Sequence, residues 1–353
     1  MNNPRASLRT AVLAAVALTA LALRPITSLA CTRILSNDSG FGVLSSRTMD
    51  WPESTEPKLW ILPAGMERYG SRFAGKTVVT ENPARWTSRH GSVAVTSYDV
   101  GTVDGLNDKG FGVHLLYLNA TDFGPRDTML KGVQTGLWGQ YLLDNAATVA
   151  EALELMKSLQ PVMVEIHGHR ATLHMAIQDK TGDSAIVEYV AGKPQIFHGR
   201  QYRIMTNDPP DSDQLAFRAQ FDFTNATRQT PLPGNVDPTH RFGRADYFRE
   251  KLPAPKNERE AIAGILAVAR SVSVPFGAPN NLPGTLYNTE YRTALDMTHL
   301  SYFFELSDAP NVVWLRLSDF NLEPGAPVLA LRPGDINLSG NVASSFEPAR
   351  APF

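Results

Sequence analysis

Residues 28–51 read SLACTRILSNDSGFGVLSSRTMDW, and Cys31 within them is the one cysteine of the chain. Thr32 to Leu35 and Phe41 to Ser45 are short β-prone runs, and Asn37-Asp38-Ser39-Gly40 between them is dense in turn residues. The stretch therefore predicts a β-hairpin that starts at Cys31. Upstream, Arg5 and Arg9 precede an almost unbroken apolar run from Ala11 to Leu23, a signal-peptide length that is short for a bilayer span. Ser28 and Ala30 set small residues at −3 and −1, so a leader of residues 1–30 is expected, cut between Ala30 and Cys31. A lipoprotein signal also leaves cysteine first, but it prefers Leu at −3, whereas Leu29 stands at −2 here. Simple cleavage is the reading adopted, with export to the periplasm or the medium.

Such a cut gives one residue both a thiol and a free α-amine. The thiolate is the nucleophile in cysteine chemistry, and an α-amine, with a pKa of roughly 8, can take its proton. An exported chain with a single cysteine forms no internal disulfide, so packing must hold the fold. Residues 31–353 are long enough for one well-packed domain, and no linker or internal repeat divides them. With 33 basic and 35 acidic residues interspersed, the formal net charge of −2 offers no electrostatic footprint for nucleic acid or an anionic membrane. No second apolar run suggests stable membrane insertion. A small-molecule partner fits best.

Farther along, Leu59 to Leu62, Ser92 to Val100 and Gly112 to Leu118 read as strands, and Asp104 to Gly110 as the turn-rich segment joining the last two. Thr148 and Glu151 form a capping box ahead of Val149, Ala152, Leu153 and Met156 at helical spacing, and Trp138 to Leu143 suggests a preceding helix. Ala171 to Gln178 and Ser184 to Val190 flank a hairpin turn at Gly182, and Gln201 to Thr206 adds a strand. Helices are expected at Arg244 to Lys251 and Glu258 to Ser271, then strands at Ser301 to Leu306 and Val312 to Leu317. Runs of strands, then helices, then strands predict α+β layering. The Pro-, Ser- and Gly-containing tail after about residue 332 is expected to be loose.

Arg47 and Asp50 follow the second run of the predicted hairpin and would return to the start of the chain. A cation near sulfur lowers its pKa, and a carboxylate near the amine orients it. His167, His169 and His174 raise the question of a metal. No further ligand stands at a recognised spacing beside them, so no metal and no cofactor is assigned.

Cys31-Thr32-Arg33 followed by Arg47-Thr48-Met49-Asp50-Trp51 resembles the opening of the choloylglycine hydrolase family of N-terminal nucleophile hydrolases, which holds conjugated bile acid hydrolases and penicillin V acylases. The resemblance continues through Asp104-Gly105-Leu106-Asn107, Thr206-Asn207-Asp208-Pro209, His240-Arg241-Phe242 and Thr289-Glu290-Tyr291-Arg292, and so covers nearly all of the expected mature chain. It implies an αββα four-layer sandwich and an amidase that cleaves linear carbon–nitrogen bonds through an acyl-thioester. Cys31 would be nucleophile and, through its amine, base; Asp50 would bind the amine and Arg47 would stabilise the sulfur. Asn207 would donate to the oxyanion and Arg241 would steady the site. Met49, Trp51 and Tyr117 would meet the substrate.

Where bile-salt-type members carry an asparagine in the oxyanion hole, this sequence has Tyr117, or Asn119 if the alignment slips. That departure, the export signal and the short interval between Asn207 and Arg241 resemble the Gram-negative penicillin V acylase branch. Long-chain N-acyl homoserine lactone cleavage, hence quorum quenching, and a homotetramer are implied with it. The alternatives are a conjugated bile acid hydrolase and, in another class, a lipid-anchored or secreted binding protein without catalysis.

Overall fold

The computed structural model describes residues 31–278, 287–309 and 311–353, so the expected leader lies outside the described residues. Strands of the two large sheets are numbered here in chain order. First come β1 (Cys31–Ser36), β2 (Leu44–Trp51), β3 (Lys58–Leu62), β4 (Ser92–Ser97), β5 (Gly101–Asn107) and β6 (Phe111–Tyr117). Helices α1 (Trp138–Asn145) and α2 (Val149–Met156) precede β7 (Leu173–Asp179), β8 (Ser184–Val190), β9 (Lys193–His198) and β10 (Ile204–Thr206). Next are α3 (Asp211–Arg218), α4 (Pro238–Glu250) and α5 (Glu258–Ser271). The chain then closes with β11 (Asn288–Asp296), β12 (Ser301–Leu306), β13 (Val312–Arg316), β14 (Leu329–Leu331), β15 (Gly340–Asn341) and β16 (Glu347–Pro348).

One sheet has the order β10-β1-β2-β11-β12-β13-β15 and the other β9-β8-β7-β6-β5-β4-β3-β14-β16. Burial divides the apolar residues among three main interfaces. Leu35, Leu59, Leu106, Ile186 and Leu295 pack between the sheets. Val113, Leu115 and Ile177 pack against Trp138, Leu142 and Ala152 of α1 and α2. Ile34, Leu44 and Ala294 pack against Phe242 and Ile265 of α4 and α5. Helix, sheet, sheet and helix layers make the α+β αββα sandwich expected above.

Several elements depart from the sequence reading, each for a local reason. The second strand of the hairpin runs from Leu44 to Trp51 rather than ending at Ser45, so Arg47 and Asp50 lie within it. Its polar run is held as strand because β1 pairs on one side and β11 on the other. Asp104 to Asn107 is the end of β5 rather than a turn, and the turn begins only at Asp108. Gly105 is there for contact: a Cβ would stand 2.8 Å from the Val93 carbonyl oxygen. Helix α4 starts at Pro238, six residues before Arg244, because proline at N1 has no N–H to lose. Strand β9 and helix α3 were not anticipated. The tail after residue 332 is not loose: β15 pairs with β13, β16 pairs with β14, and Val342 and Phe346 are buried.

The β2–β11 pairing contains a bulge. Thr289 lies opposite Asp50 and Tyr291 opposite Met49, which leaves Glu290 as the extra residue. Its carboxylate turns outward and accepts from Ser54 Oγ at 2.7 Å and the Thr55 N–H at 3.0 Å, tying down the loop after Trp51.

Candidate active site

Cys31 begins β1 and pairs with Met49 of β2, two residues from Arg47. Strand alternation then sorts the neighbours by face. Arg47 and Met49 share the face of β2 that looks into the gap between the sheets, whereas Thr48 and Asp50 point to the helical side. Arg47 Nη2 stands 3.3 Å from Cys31 Sγ, and Met49 Sδ lies 3.9 Å from it. The guanidinium is held from beyond by two carbonyls, Val103 of β5 and Leu115 of β6, each 3.0 Å from Nη1. Arg47 is thus a wedge between strands that separate past His114, the last paired residue there.

On the opposite face Asp50 is fully buried. It accepts from Thr289 Oγ1 at 2.5 Å and Thr48 Oγ1 at 3.0 Å, with Arg241 Nη1 at 3.6 Å. Arg241, on α4, also donates to the Cys31 carbonyl at 2.6 Å, Thr32 Oγ1 at 2.5 Å and Asn207 Oδ1 at 3.3 Å. Asn207 follows β10, the other neighbour of β1; its Oδ1 accepts from the Cys31 nitrogen and its Nδ2 donates to the Tyr117 carbonyl at 2.5 Å. Three of the other four residues expected to be catalytic, Arg47, Asn207 and Arg241, therefore contact Cys31 directly, and Asp50 joins them through Arg241. With Cys31 still joined to residue 30, its peptide nitrogen carries one hydrogen, and Asn207 takes it.

Tyr117 ends β6. Its neighbour Leu118 donates to Thr172 on the far side, so the Tyr117 N–H and C=O both point away from that strand, toward Asn207. Asn119 instead gives its N–H to Asp208 and stays apart. Trp51 and Tyr117 meet edge to face with ring centroids 5.8 Å apart. Together they wall a cavity of about 110 Å³ that opens from Cys31 and is lined by Met49, Phe73, Val103, Leu115, Ile166 and Leu173, among others.

Burial pushes the Cys31 thiol above its ordinary value, against the pull of Arg47 and with Asp50 adding to the rise. Burial likewise raises Asp50, opposed by Arg241 and the two threonine hydroxyls. The histidines considered as ligands go separate ways: His167 to Glu53, His169 onto the Trp51 ring, and His174 to Glu188. Residues that sequence reading missed include Thr48, Thr289 and Gln214, whose Nε2 holds the Asn207 carbonyl at 3.0 Å. Phe73, Ile166 and Leu173 of the cavity were missed as well. A polar residue in a strand buried on both sides was the available signal for the two threonines.

Helix α3, which carries Gln214, starts on a buried acid pair. Asp211 is pushed up to about 7, by burial first and then by the Glu188 carboxylate, against the attraction of Arg33. Its folded value lies above its unfolded one, so the stability it contributes is complete below about pH 4 and is lost as pH rises through about 7. Asp211→Asn should flatten that part of the decline: between pH 5 and pH 8 the melting temperature of the parent should fall more than that of the variant. Calorimetry giving parallel slopes would remove Asp211 as the source.

Comparison with known proteins agrees with this geometry. Residues 31–330 match the model of the linear amide C–N hydrolases, choloylglycine hydrolase family. The chain is 33% identical to a penicillin V acylase of Pectobacterium atrosepticum, over 96% of this chain and 95% of that one. The structure of a penicillin V acylase from Agrobacterium tumefaciens superposes with a TM-score of 0.80 at 35% identity, covering 91% of this chain and 98% of that one. A Clostridium perfringens conjugated bile acid hydrolase shares the fold at TM-score 0.73 and 19% identity, over 88% of this chain and 98% of that one. Family model, relatives and fold agree: the chain belongs to the choloylglycine hydrolase family and is a hydrolase of carbon–nitrogen bonds other than peptide bonds in linear amides.

Proposed function

We propose that this protein is an exported amidase whose nucleophile is Cys31, freed as the first residue by removal of residues 1–30, and that it acts in the manner of a penicillin V acylase. The observation that carries the reading is the placement of Cys31 Sγ at the mouth of an apolar cavity, 3.3 Å from Arg47, with its nitrogen beside Asn207. A buried thiol raised above its ordinary value is neutral at rest, so attack needs a base. The α-amine of the same residue supplies it, and as an amine it has hydrogens for Asp50 as well as for Asn207.

In the first step Sγ bonds to the amide carbonyl carbon while the thiol proton passes to the α-amine. Oxyanion charge falls between the Tyr117 N–H and the second hydrogen of the Asn207 amide, the first being held by the Tyr117 carbonyl. The proton then goes to the leaving nitrogen, the C–N bond breaks, and an acyl-thioester remains. Water attacks it, giving the carboxylic acid and restoring the thiol.

The cavity favours a flat or slender acyl group. At about 110 Å³ it is smaller than the ~150 Å³ that holds a benzene ring, so phenoxyacetyl or a fatty acyl chain must part its walls, and a steroid fits least. Acyl homoserine lactones share the acyl-chain chemistry and are the second substrate class. The test is an amide panel on protein with Cys31 as its first residue. Release of phenoxyacetate from penicillin V, or of fatty acid from an acyl homoserine lactone, should exceed glycocholate hydrolysis by at least ~10-fold. Faster glycocholate turnover would reverse the reading. Mass analysis should give an unmodified Cys31 at the N-terminus, and light scattering tests the homotetramer that the family resemblance implies.

A further inference from the structure

Asp104 belongs to the Asp-Gly-Leu-Asn segment that supports the family resemblance, yet it lies outside the chemistry described so far. It is fully buried on β5, between the sheets. Its Oδ2 accepts from Thr293 Oγ1 of the opposite sheet at 2.7 Å and from His114 Nδ1 at 3.1 Å. Nε2 of the same imidazole stands 2.8 Å from Ser45 Oγ. Serine, histidine and aspartate are thus linked in the order of a hydrolytic triad. All three are sealed from solvent, however, and none lines the cavity at Cys31. Burial keeps the His114 ring neutral by pushing its pKa down, so Nδ1–H donates to the carboxylate and Ser45 donates to Nε2.

What the carboxylate faces is Arg47, with Nε 4.0 Å from Oδ2, long for an ion pair, while Nη2 of the same guanidinium contacts Cys31 Sγ. We propose that Asp104 is a positioning residue for the Cys31–Arg47 pair: clamped by Thr293 and His114, it holds the guanidinium from behind without closing on it and so sets how much of its charge reaches the sulfur. The proposal rests on the reading of Cys31 as the nucleophile. Its test therefore measures the thiol itself.

The groups that act on the thiol are Arg47, Asp50 and Arg241, and those around Arg47 are Cys31, Tyr291, Asp104 and Tyr302. Arg33 acts in turn on His114. Two substitutions then move the thiol in opposite directions. Asp104→Asn removes the anion behind Arg47, leaves more of the cation for sulfur and lowers the pH at which thiolate forms, by roughly one unit. Thr293→Val keeps the anion but removes one clamp, so the carboxylate can close on Arg47, draw it off the sulfur and raise that pH.

The experiment is the pH dependence of iodoacetamide alkylation of Cys31, in which the thiolate displaces iodide, on protein with Cys31 as its first residue. The acid limb of kcat/KM is followed in parallel where a substrate is turned over. Opposite shifts in the two variants support the role. Unmoved midpoints in both, or shifts of the same sign, overturn it, as would a loss of stability without any shift. If Asp104→Asn does not fold, a rise with Thr293→Val supports the proposal and an unmoved midpoint overturns it. Alkylation midpoints that shift as expected in a protein without amide turnover would uphold the positioning role while refuting the proposed amidase reaction.

Discussion

Cys31→Ala should abolish amide hydrolysis while leaving the fold in place, with kcat/KM falling by ~10⁴-fold or more. The side chain removed is small and its Sγ makes one hydrogen-bond contact with a cation, at 3.3 Å, besides weak contacts near 3.9 Å. A melting temperature within a few degrees of the parent is therefore expected. Cys31→Ser should keep only a trace of activity, because a hydroxyl is far harder to ionise in a buried site. The measurement is product release by the purified variant beside a near-ultraviolet circular dichroism spectrum. Turnover above about one per cent of the parent with a native spectrum would show that another group attacks the substrate.

Arg241→Met should be the most destabilising change at the site. Arg241 and Asp50 are both fully buried, and breaking a buried pair by removing one partner costs about 3–5 kcal/mol because the other charge is stranded. A fall in melting temperature of about 10 °C is expected. Activity should fall ~100-fold as well, since Arg241 orients the Cys31 carbonyl, Thr32 and Asn207 together. Adding Asp50→Asn removes the stranded charge and should recover much of the stability but none of the activity. A single variant that melts within 2 °C of the parent would mean that the pair is not a net structural element. A double variant with parental activity would take both residues out of the chemistry.

How much of this was legible in the sequence depends on separation along the chain. Cys31, Arg47 and Asp50 lie in one hairpin, and turn residues between two β-prone runs were enough to bring them together. Asn207 and Arg241 reach Cys31 across 176 and 210 residues, where no local periodicity reports contact, and only the resemblance to a family tied them to the site. Helix Glu258–Ser271 was readable end to end because Asn257 caps it and its apolar stripe is continuous. The strand carrying Arg47 was read too short because its polar residues serve the site instead of an alternating pattern. Cavity residues Phe73 and Ile166 come from very short two-stranded elements with no period to detect.

The bulge at Glu290 bears on what this strand can lose. Side chains in a strand alternate, so an extra residue either turns everything beyond it to the other face or is taken up as a bulge. Thr289 reaches Asp50 and Tyr291 packs between the sheets only because Glu290 takes up the odd residue. Asp50 and Met49 are adjacent on β2, so deletion of Glu290 would close the bulge into regular alternation and keep the Thr289 hydroxyl and the Tyr291 ring in phase, while removing the carboxylate that holds Ser54 and Thr55. Glu290 is thus a residue that the sheet carries for the loop: the pairing of β2 with β11 closes without it, and the anchoring of the chain after Trp51 does not.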